Sequence, residues 1–485
     1  MATVIQATEL PIHSSFILNL DNKNIILKWL KLLILARQLD ERAPNYLKQA
    51  IGWSYHAPCA GHEGIQLAIG QIFNKETDHF FPYYRDLMAT LSAGLTPLEI
   101  ILNGISKATD LASGGRHMSN HFAKPEWNIH NVSSCTGNHT LHAVGVARAM
   151  KYYGHKGVAI SSQGESSVSE GYCYEAINGA SREKLPVLFV FQDNGYGISV
   201  PKREQTANEF CADNFSGFLN LTIVHVDGTD ILSSLNALTW AKNWILEHGN
   251  PVIIHAQCVR IGSHSNSDKH ELYRSEEEIE KAKTKDPLKL FSEKLLKSSL
   301  VSPKEIEQIE KECREEVLQA HSLALAAPDP SPDSIHDFVL PPAYPAQEKR
   351  GSETERLLDL KFIEAINQTL KEEFRRNPHT FLWGQDVANK DKGGIFNVTK
   401  GMQQEFGPKR IFNAPIAEDF IVGTANGMSR FRSDLRVVVE GAEFADYFWP
   451  AMEQLLECSH EYWRTNGKFS PNLVIRLASG GYIGG

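Results

Sequence analysis

Apolar positions recur at helical spacing from Ile25 to Leu47 and again from Pro97 to Ile105, which predicts helices with one face turned inward. Farther along the period changes. GVAI at 157–160 and PVLFVF at 186–191 are short continuous apolar runs, Val168 to Arg182 between them has helical spacing, and PVIIHAQCVRI at 251–261 repeats the strand pattern. Such runs predict strands covered on both faces, and helical segments between them predict crossovers of a parallel sheet. The same alternation returns late in the chain. A helix is predicted over Glu353 to Arg376, with Leu357, Leu358, Leu360, Phe362, Ile363 and Ile366 on its apolar side. TFLWGQ, RVVVEG and NLVIRL then read as strands, with helices around Thr399 to Phe406, over Glu418 to Arg430 and from Pro450. The pattern predicts an α/β protein of two domains, each a parallel sheet with helices on both faces.

Between the two lies a stretch of another character. Ser302 to Ala327 is a charged helical pattern, and six of the 22 prolines then fall between Pro328 and Pro345. Proline removes backbone donors and favours extended chain, so this reads as a linker. The predicted partition is 1–327, a linker at 328–352, and 353–485.

Composition narrows the class. The chain has 485 residues, 49 Lys+Arg against 58 Asp+Glu (net charge −9), 42% hydrophobic and 22% charged residues. That is the balance of a folded globular protein. Mild acidity argues against the basic stripe a nucleic-acid backbone needs. The first sixteen residues carry no Lys or Arg ahead of an apolar core, and no apolar run approaches membrane-spanning length. The 7 cysteines are dispersed and never form CxxC, which speaks for a reducing compartment. The expectation is a soluble cytoplasmic protein, with neither nucleic acid nor membrane as partner.

The chemistry concentrates in GVAISSQGESSVSEGYCYEAINGASREKLPVLFVFQDNGYGIS, which reads strand, loop, helix, strand, loop. Both loops leave the carboxyl edge of a parallel sheet, where ligands bind. Gly164 and Glu165 are in the first loop, and Asn194, Gly195 and Tyr196 in the second. A carboxylate, an amide oxygen and a backbone carbonyl converging there suit Mg²⁺ shared with a diphosphate. The plainer alternative is a turn with Ser166 or Ser169 capping the next helix and an Asn-Gly turn closing the next strand.

The pairing of these loops resembles the thiamine diphosphate fingerprint, and more specifically the thiamine-dependent decarboxylating component of 2-oxo acid dehydrogenase complexes. FPYYRD (81–86), ASGGRHMSNHF (112–122), IGSHSNSDKHELYR (261–274) and FGPKRIFNAPIAEDFIVG (406–423) occur in that family's order. The resemblance implies two thiamine diphosphate-binding folds. Leu30 to Tyr273 is similar to the α subunit, and Leu357 to Gly485 to the β subunit, fused through the linker. It implies Glu165, Asn194 and the Tyr196 carbonyl as Mg²⁺ ligands, and Tyr84 and Arg85 as diphosphate contacts. A planar guanidinium matches a phosphate bidentately; the alternative for Arg85 is a surface pair with Asp86. His264 is implied to contact diphosphate and substrate and to assist acyl transfer, against the reading of a polar loop histidine. Glu418 is implied to protonate the aminopyrimidine ring, against a first-turn acid at a helix start. Flanked by Ile416, Phe420 and Val422, it is expected to be buried, a setting suited to proton delivery. Ser134, Gly164, Ser166, Ile416, Glu443 and Tyr447 complete the implied cofactor contacts. Ser265 and Ser267 match a loop that is phosphorylated in mitochondrial relatives and are read here as loop formers.

Departures from the family pattern are Gln192 for an Arg near the diphosphate, Ser166 for a loop glycine, Gln385 for a Glu, Glu443 for a Gln, and Asn138 and His139 at a potassium site. RLASGGYIGG stops where the family continues, which reads as truncation. Ser133-Ser134 resembles branched-chain enzymes, so the expected reaction is oxidative decarboxylation of a branched-chain 2-oxo acid such as 3-methyl-2-oxobutanoate. The alternatives are pyruvate, or an impaired homologue that only docks on the complex core. The implied partners are a dihydrolipoyl acyltransferase with its lipoyl domain and a second copy of the chain. From another class, His117 with His121 and His139 with His142 raise a zinc site, although no HExxH occurs.

Overall fold

The computed structural model describes residues 1–342, 360–389, 392–394 and 396–479, with the backbone alone at 15 and 442–444. The chain divides into two compact units, the boundary falling between Ile335 and His336.

The first unit carries eight strands: β1 (Thr3–Gln6), β2 (His79–Phe81), β3 (Ala159–Gly164), β4 (Val187–Asp193), the two-residue strands β5 (Tyr196–Gly197) and β6 (Val200–Pro201), β7 (Thr222–Asp227) and β8 (Val252–Gln257). Six of them form one sheet in the order β1-β7-β8-β4-β3-β2, parallel throughout, while β5 and β6 pair as a small antiparallel hairpin. Its helices are α1 (Lys23–Lys48), α2 (Glu63–Ile72), α3 (Leu87–Ser92), α4 (Pro97–Gly104), α5 (His139–Tyr153), α6 (Gly171–Glu183), α7 (Ile231–His248), α8 (Glu276–Lys283), α9 (Pro287–Lys297) and α10 (Pro303–Ala326). Every residue of β4 is buried, as its unbroken apolar run requires between two helical layers. Ile26, Trp29, Leu30 and Leu33 of α1 join Leu188 and Val190 of β4 and Leu235 and Leu238 of α7 in one core. Local chemistry sets the helix starts: Thr96 and Glu99 form a capping box on α4, Ser302 and Glu305 do so on α10, and the Asp230 carboxylate caps α7.

The second unit repeats the architecture on a smaller scale. It contains α11 (Phe362–Arg376), β9 (Thr380–Gly384), α12 (Met402–Phe406), β10 (Ile411–Asn413), α13 (Glu418–Ser429), β11 (Arg436–Phe444), α14 (Met452–Arg464) and β12 (Leu473–Ala478). Its sheet runs β10-β9-β11-β12, again all parallel. Both units are therefore α/β, with parallel sheets flanked by helices. No helix among the described residues is long and apolar enough to cross a membrane.

Several boundaries differ from expectation. The helix expected from Val168 starts at Gly171, after a 3-10 turn over Ser166–Ser169. Ser167 Oγ bonds the Gly164 carbonyl (2.7 Å), and Glu170 is extended, so the two helical pieces cannot merge. Neither Ser166 nor Ser169 caps α6: Ser166 Oγ donates to Glu165 Oε1 (3.0 Å) and Ser169 Oγ to the Gln205 carbonyl (2.7 Å). Pro450 lies in a 3-10 turn ahead of α14. The helix expected from Glu353 begins at Phe362, and part of its expected start and of the 328–352 linker lies outside the described residues. At the near end of that linker, Asp329 accepts Lys107 Nζ at 2.7 Å within the first unit.

Candidate functional site

Register brings the two informative loops together. Gly164, the last residue of β3, pairs with Gln192 of β4, and Asp193 pairs with Gln257 of β8. Glu165 and Asn194 thus leave neighbouring strands at one sheet edge, and the Asn194 backbone N–H donates to Glu165 Oε2 (3.2 Å). Asp193 builds the turn that carries Asn194. Its Oδ1 accepts the Gly195 N–H (2.9 Å), its Oδ2 accepts Lys202 Nζ and His255 Nε2 (3.0 Å each), and its carbonyl accepts the Cys258 N–H (2.7 Å). Gly195 has φ +85°, the left-handed conformation this turn needs.

Asn194 is oriented by its own bonds. Oδ1 accepts the Tyr196 N–H (3.3 Å) and Nδ2 donates to His62 Nε2 (3.2 Å). Burial, then the charges of Arg85 and Arg260, hold the His62 imidazole well below its ordinary range, so it is neutral and able to accept. Glu165 is 3% exposed. Burial, with the Asp193 charge adding to it, pushes its carboxyl up to about 7. A divalent cation would relieve that penalty, so a buried carboxylate bonded to the Asn194 turn fits Mg²⁺ in chemistry. A Cβ built on Gly164 would meet only Tyr83 Cε2, at 4.0 Å, which leaves that backbone open to a close ligand.

Two buried arginines stand beside these loops. Arg85, 1% exposed, donates through Nη1 to the Pro58 carbonyl (2.8 Å) and through Nη2 to the His264 carbonyl (3.2 Å) and Nδ1 (3.3 Å). Arg260, also 1% exposed, donates to the Ile198 carbonyl (2.8 Å) and the Tyr273 hydroxyl. Each has a buried Nε with no partner, and neither has a carboxylate at ion-pair distance among the described residues. The expected alternative of an Arg85–Asp86 surface pair is overturned: Asp86 instead accepts the Tyr83 N–H (3.0 Å) and Gln192 Nε2 (2.7 Å). Buried guanidinium groups without acids are costly unless an anion arrives, and two of them fit a diphosphate. Tyr84 and His264 complete the cluster, their rings 6.0 Å apart, with Arg85 over the Tyr84 face at 5.6 Å. Burial, then Arg85 and Arg260, bring His264 down to about 4. Arg260 and His62 were not singled out by the sequence reading. The signal for Arg260 was one cation in the apolar exit of a predicted strand, four residues before His264.

Other expected contacts fall differently. Ser134 is exposed, its Oγ 3.1 Å from His121 Nε2, whereas the Ser133 Oγ accepts from Asn138 Nδ2 (2.8 Å). Residues 112–122 form turns, so His117 and His121 do not share a helix face. His117 Nδ1 accepts the Met118 N–H and its Nε2 bonds the Val132 carbonyl, while His121 Nδ1 bonds the Ser119 carbonyl, which commits this pair elsewhere than to zinc. Among the described residues, no three His, Cys, Asp or Glu side chains are placed to hold a metal.

In the second unit Glu418 is the first residue of α13, and its Oε1 accepts Gln385 Nε2. The expected burial is not met: Glu418 is half-buried, because Ile416 turns outward at 86% exposure while Phe420 and Val422 enter the core. Tyr447 is 61% exposed, and the Glu443 side chain lies outside the described residues.

Residues 30–333 match the family described as Dehydrogenase E1 component, and residues 359–466 match Transketolase, pyrimidine binding domain. The chain is 33% identical over 311 residues to 2-oxoisovalerate dehydrogenase subunit alpha of Bacillus subtilis (strain 168), covering 63% of this chain and 92% of that one. It is 28% identical over 331 residues to the human mitochondrial pyruvate dehydrogenase E1 component subunit alpha, somatic form (67% and 82% covered). Identity is also 28%, over 328 residues, to 3-methyl-2-oxobutanoate dehydrogenase subunit alpha of Mycobacterium tuberculosis (67% and 86% covered). An α/β unit with an oxygen-lined turn and two acid-free arginines, over a stretch this long, makes the conclusion plain: the chain belongs to the dehydrogenase E1 component family and carries a transketolase-type pyrimidine-binding domain after it.

Proposed function

We propose that this chain is the thiamine diphosphate- and Mg²⁺-dependent component that oxidatively decarboxylates a branched-chain 2-oxo acid. It passes the acyl group to the lipoyl group of a dihydrolipoyl acyltransferase and works as an assembly of two copies. The observation that carries this reading is the pair Arg85 and Arg260, buried without acids beside Glu165 and Asn194.

Glu165, the Asn194 amide oxygen and the Tyr196 carbonyl would hold the cation, and Arg85, Arg260, Tyr84 and His264 the diphosphate. Bound thiamine diphosphate supplies the electron sink for loss of CO₂. The protein's part is orientation and proton placement. Arg85 Nη2 can only donate, so His264 Nδ1 accepts and the imidazole proton sits on Nε2. His264 therefore offers an N–H to an oxyanion while remaining neutral. His62 fixes the Asn194 amide by the same logic, accepting from Nδ2 so that Oδ1 is the oxygen left for the metal. Glu418, oriented by Gln385, is the candidate acid for the aminopyrimidine ring.

The similarity to two branched-chain α subunits and the Ser133-Ser134 pair favour 3-methyl-2-oxobutanoate. Similarity to pyruvate dehydrogenase α subunits makes pyruvate the second reading. One or two methylenes in a pocket are worth about 1–3 kcal/mol, so turnover of both substrates must be compared. The test is titration calorimetry of thiamine diphosphate with and without Mg²⁺, on the wild-type chain and on Glu165→Ala. Magnesium-dependent binding lost in the variant is expected. Binding to the acyltransferase with no cofactor uptake would replace this reading with a docking role, and equal or better turnover of pyruvate would end the branched-chain preference.

A further inference from the structure

β7 and β8 run side by side, and at one level of their ladder His225 is paired with His255. The two imidazoles meet Nδ1 to Nδ1 at 3.2 Å, with the Phe210 ring 5.0 Å from the first and 4.9 Å from the second. Each outer nitrogen faces a carboxylate. His255 Nε2 lies 3.0 Å from Asp193 Oδ2, and His225 Nε2 lies 3.0 Å from Asp213 Oδ1, on the 3-10 turn Cys211–Phe215. Both histidines and Asp193 are buried, whereas the Asp213 side chain is 34% exposed. A line of four ionisable side chains therefore joins the surface to the residue that builds the Asn194 turn. Lys202, bonded to Asp193, and the buried Cys211 thiol stand beside it, and Glu165 lies beyond Asp193.

The line has three gaps to fill with hydrogens, and two neutral imidazoles bring only two. The ends set the order. Asp193 Oδ2 already accepts Lys202 Nζ, so it takes the His255 Nε2 hydrogen and has none to give. His255 Nδ1 is then a lone pair, and His225 Nδ1–H donates to it. That leaves His225 Nε2 without a hydrogen, opposite a carboxylate oxygen. The reverse order would set that mismatch against Asp193 in the core, whereas Asp213 can turn to water. A second proton on His225 closes the third gap. Burial and then His255 lower the range in which His225 takes it, and Asp213 pulls the other way.

We propose that His225 and His255 are positioning residues, which hold Asp193, and through it the Asn194 turn, by a fixed order of hydrogens: His225 on Nδ1, His255 on Nε2, and one further proton site at the surface between His225 Nε2 and Asp213. Asp193 is thereby kept an acceptor, with its Oδ1 on the Gly195 N–H and its carbonyl on the Cys258 N–H. What the turn is positioned for rests on the metal reading above; the order of hydrogens does not.

Nitrogen NMR of the full chain, labelled at the histidine rings, reads the tautomers, and His225→Phe and His255→Phe assign the signals. At about pH 8 the His225 hydrogen is expected on Nδ1 and the His255 hydrogen on Nε2. Asp213→Asn tests the surface end without touching the core. Its amide can donate to His225 Nε2, which completes the neutral line, so His225 should titrate about one pH unit or more below its wild-type value. In both phenylalanine variants the Gly195 and Cys258 amides should exchange about tenfold faster, and thiamine diphosphate with Mg²⁺ should bind about tenfold more weakly. His225→Asn, whose amide can replace the Nδ1 donor, should restore most of both. A His225 hydrogen on Nε2, or a titration unmoved or raised in Asp213→Asn, overturns the order of hydrogens. Unchanged exchange in both phenylalanine variants overturns the positioning role. If the wild-type chain takes up no cofactor, the reading in the previous section fails, and the tautomers and exchange still decide the histidine pair.

Discussion

Arg260 holds a charge in the core with no acid at ion-pair distance among the described residues, and that makes its substitution informative in sign. Burial pushes the guanidinium down from its ordinary value, a cost that the protein alone does not recover. In Arg260→Met the aliphatic stem still packs. Loss of the bonds to Ile198 and Tyr273 is offset by removal of the buried charge, so cofactor-free stability should change by less than about 1 kcal/mol. Affinity for thiamine diphosphate should fall about 10- to 100-fold, the usual worth of one charge-assisted bond. Denaturant unfolding paired with calorimetry checks both; a large destabilisation with unchanged affinity would make Arg260 a structural residue. Arg85 was legible in the sequence because FPYYRD resembles the family motif whose Tyr-Arg pair holds the diphosphate. Arg260 was not, because one cation after CV and before IG looks like the end of a strand. Its meaning comes from what is absent around it in space, and no linear pattern records that.

At the scale of elements, continuous apolar runs were legible in most central strands but not in β7, which lies between β1 and β8 and whose sequence TIVHVD is interrupted by His225. β4, β8, β9 and β11 stand where continuous hydrophobic stretches predict them. The edge strands β1, β2 and β10 escaped notice, since three or four residues with one covered side leave no such run. The start of α6 was misplaced because Ser166 to Ser169 has helical spacing but closes its bonds as a 3-10 turn around the Gly164 carbonyl. A glycine in the turn before α2 and one at the end of β3 make the contrast testable. Gly61 has φ +97°, and a Cβ there would lie 2.0 Å from the Val259 carbonyl oxygen at the exit of β8. Gly61→Ala should therefore cost several kcal/mol, about 3 or more, through backbone strain and displacement of the Val259–Arg260 segment. Gly164→Ala, with open space around its Cβ, should cost less than about 1 kcal/mol in stability yet weaken cofactor binding. Unfolding midpoints and calorimetric affinities of the two variants would show it, and equal destabilisation of both would mean that the Gly164 backbone is not kept free for a ligand.

Across the whole first unit, an unusual number of ionisable groups are buried in one state, and their sum sets how stability responds to pH. Burial above all lowers His79 to about 3 and His121 and His139 to about 4, and it holds His62 and His117 well below the ordinary histidine value. Each stays neutral in the folded chain but takes up a proton in the unfolded chain below about pH 6.5, so each favours unfolding as the pH falls. Buried carboxyls act in the opposite sense, Glu63 and Asp110 being raised by burial as well. Glu165, raised to about 7, and Asp86, raised to about 6 by burial, hold protons in the folded state that the unfolded chain has already lost, so their contribution declines as the pH rises. Between roughly pH 5 and 6 the lowered histidines, His264 among them, outnumber the raised carboxyls, so unfolding takes up protons, each worth about 1.4 kcal/mol per pH unit at full effect. Stability of the cofactor-free protein should thus drop steeply from pH 6.5 toward 5, well above the range where ordinary carboxylates titrate. Calorimetric melting at pH 7.5 and 5.5 measures it: a midpoint lower by several degrees is expected, whereas a flat or rising one would mean that water reaches these histidines in the folded state.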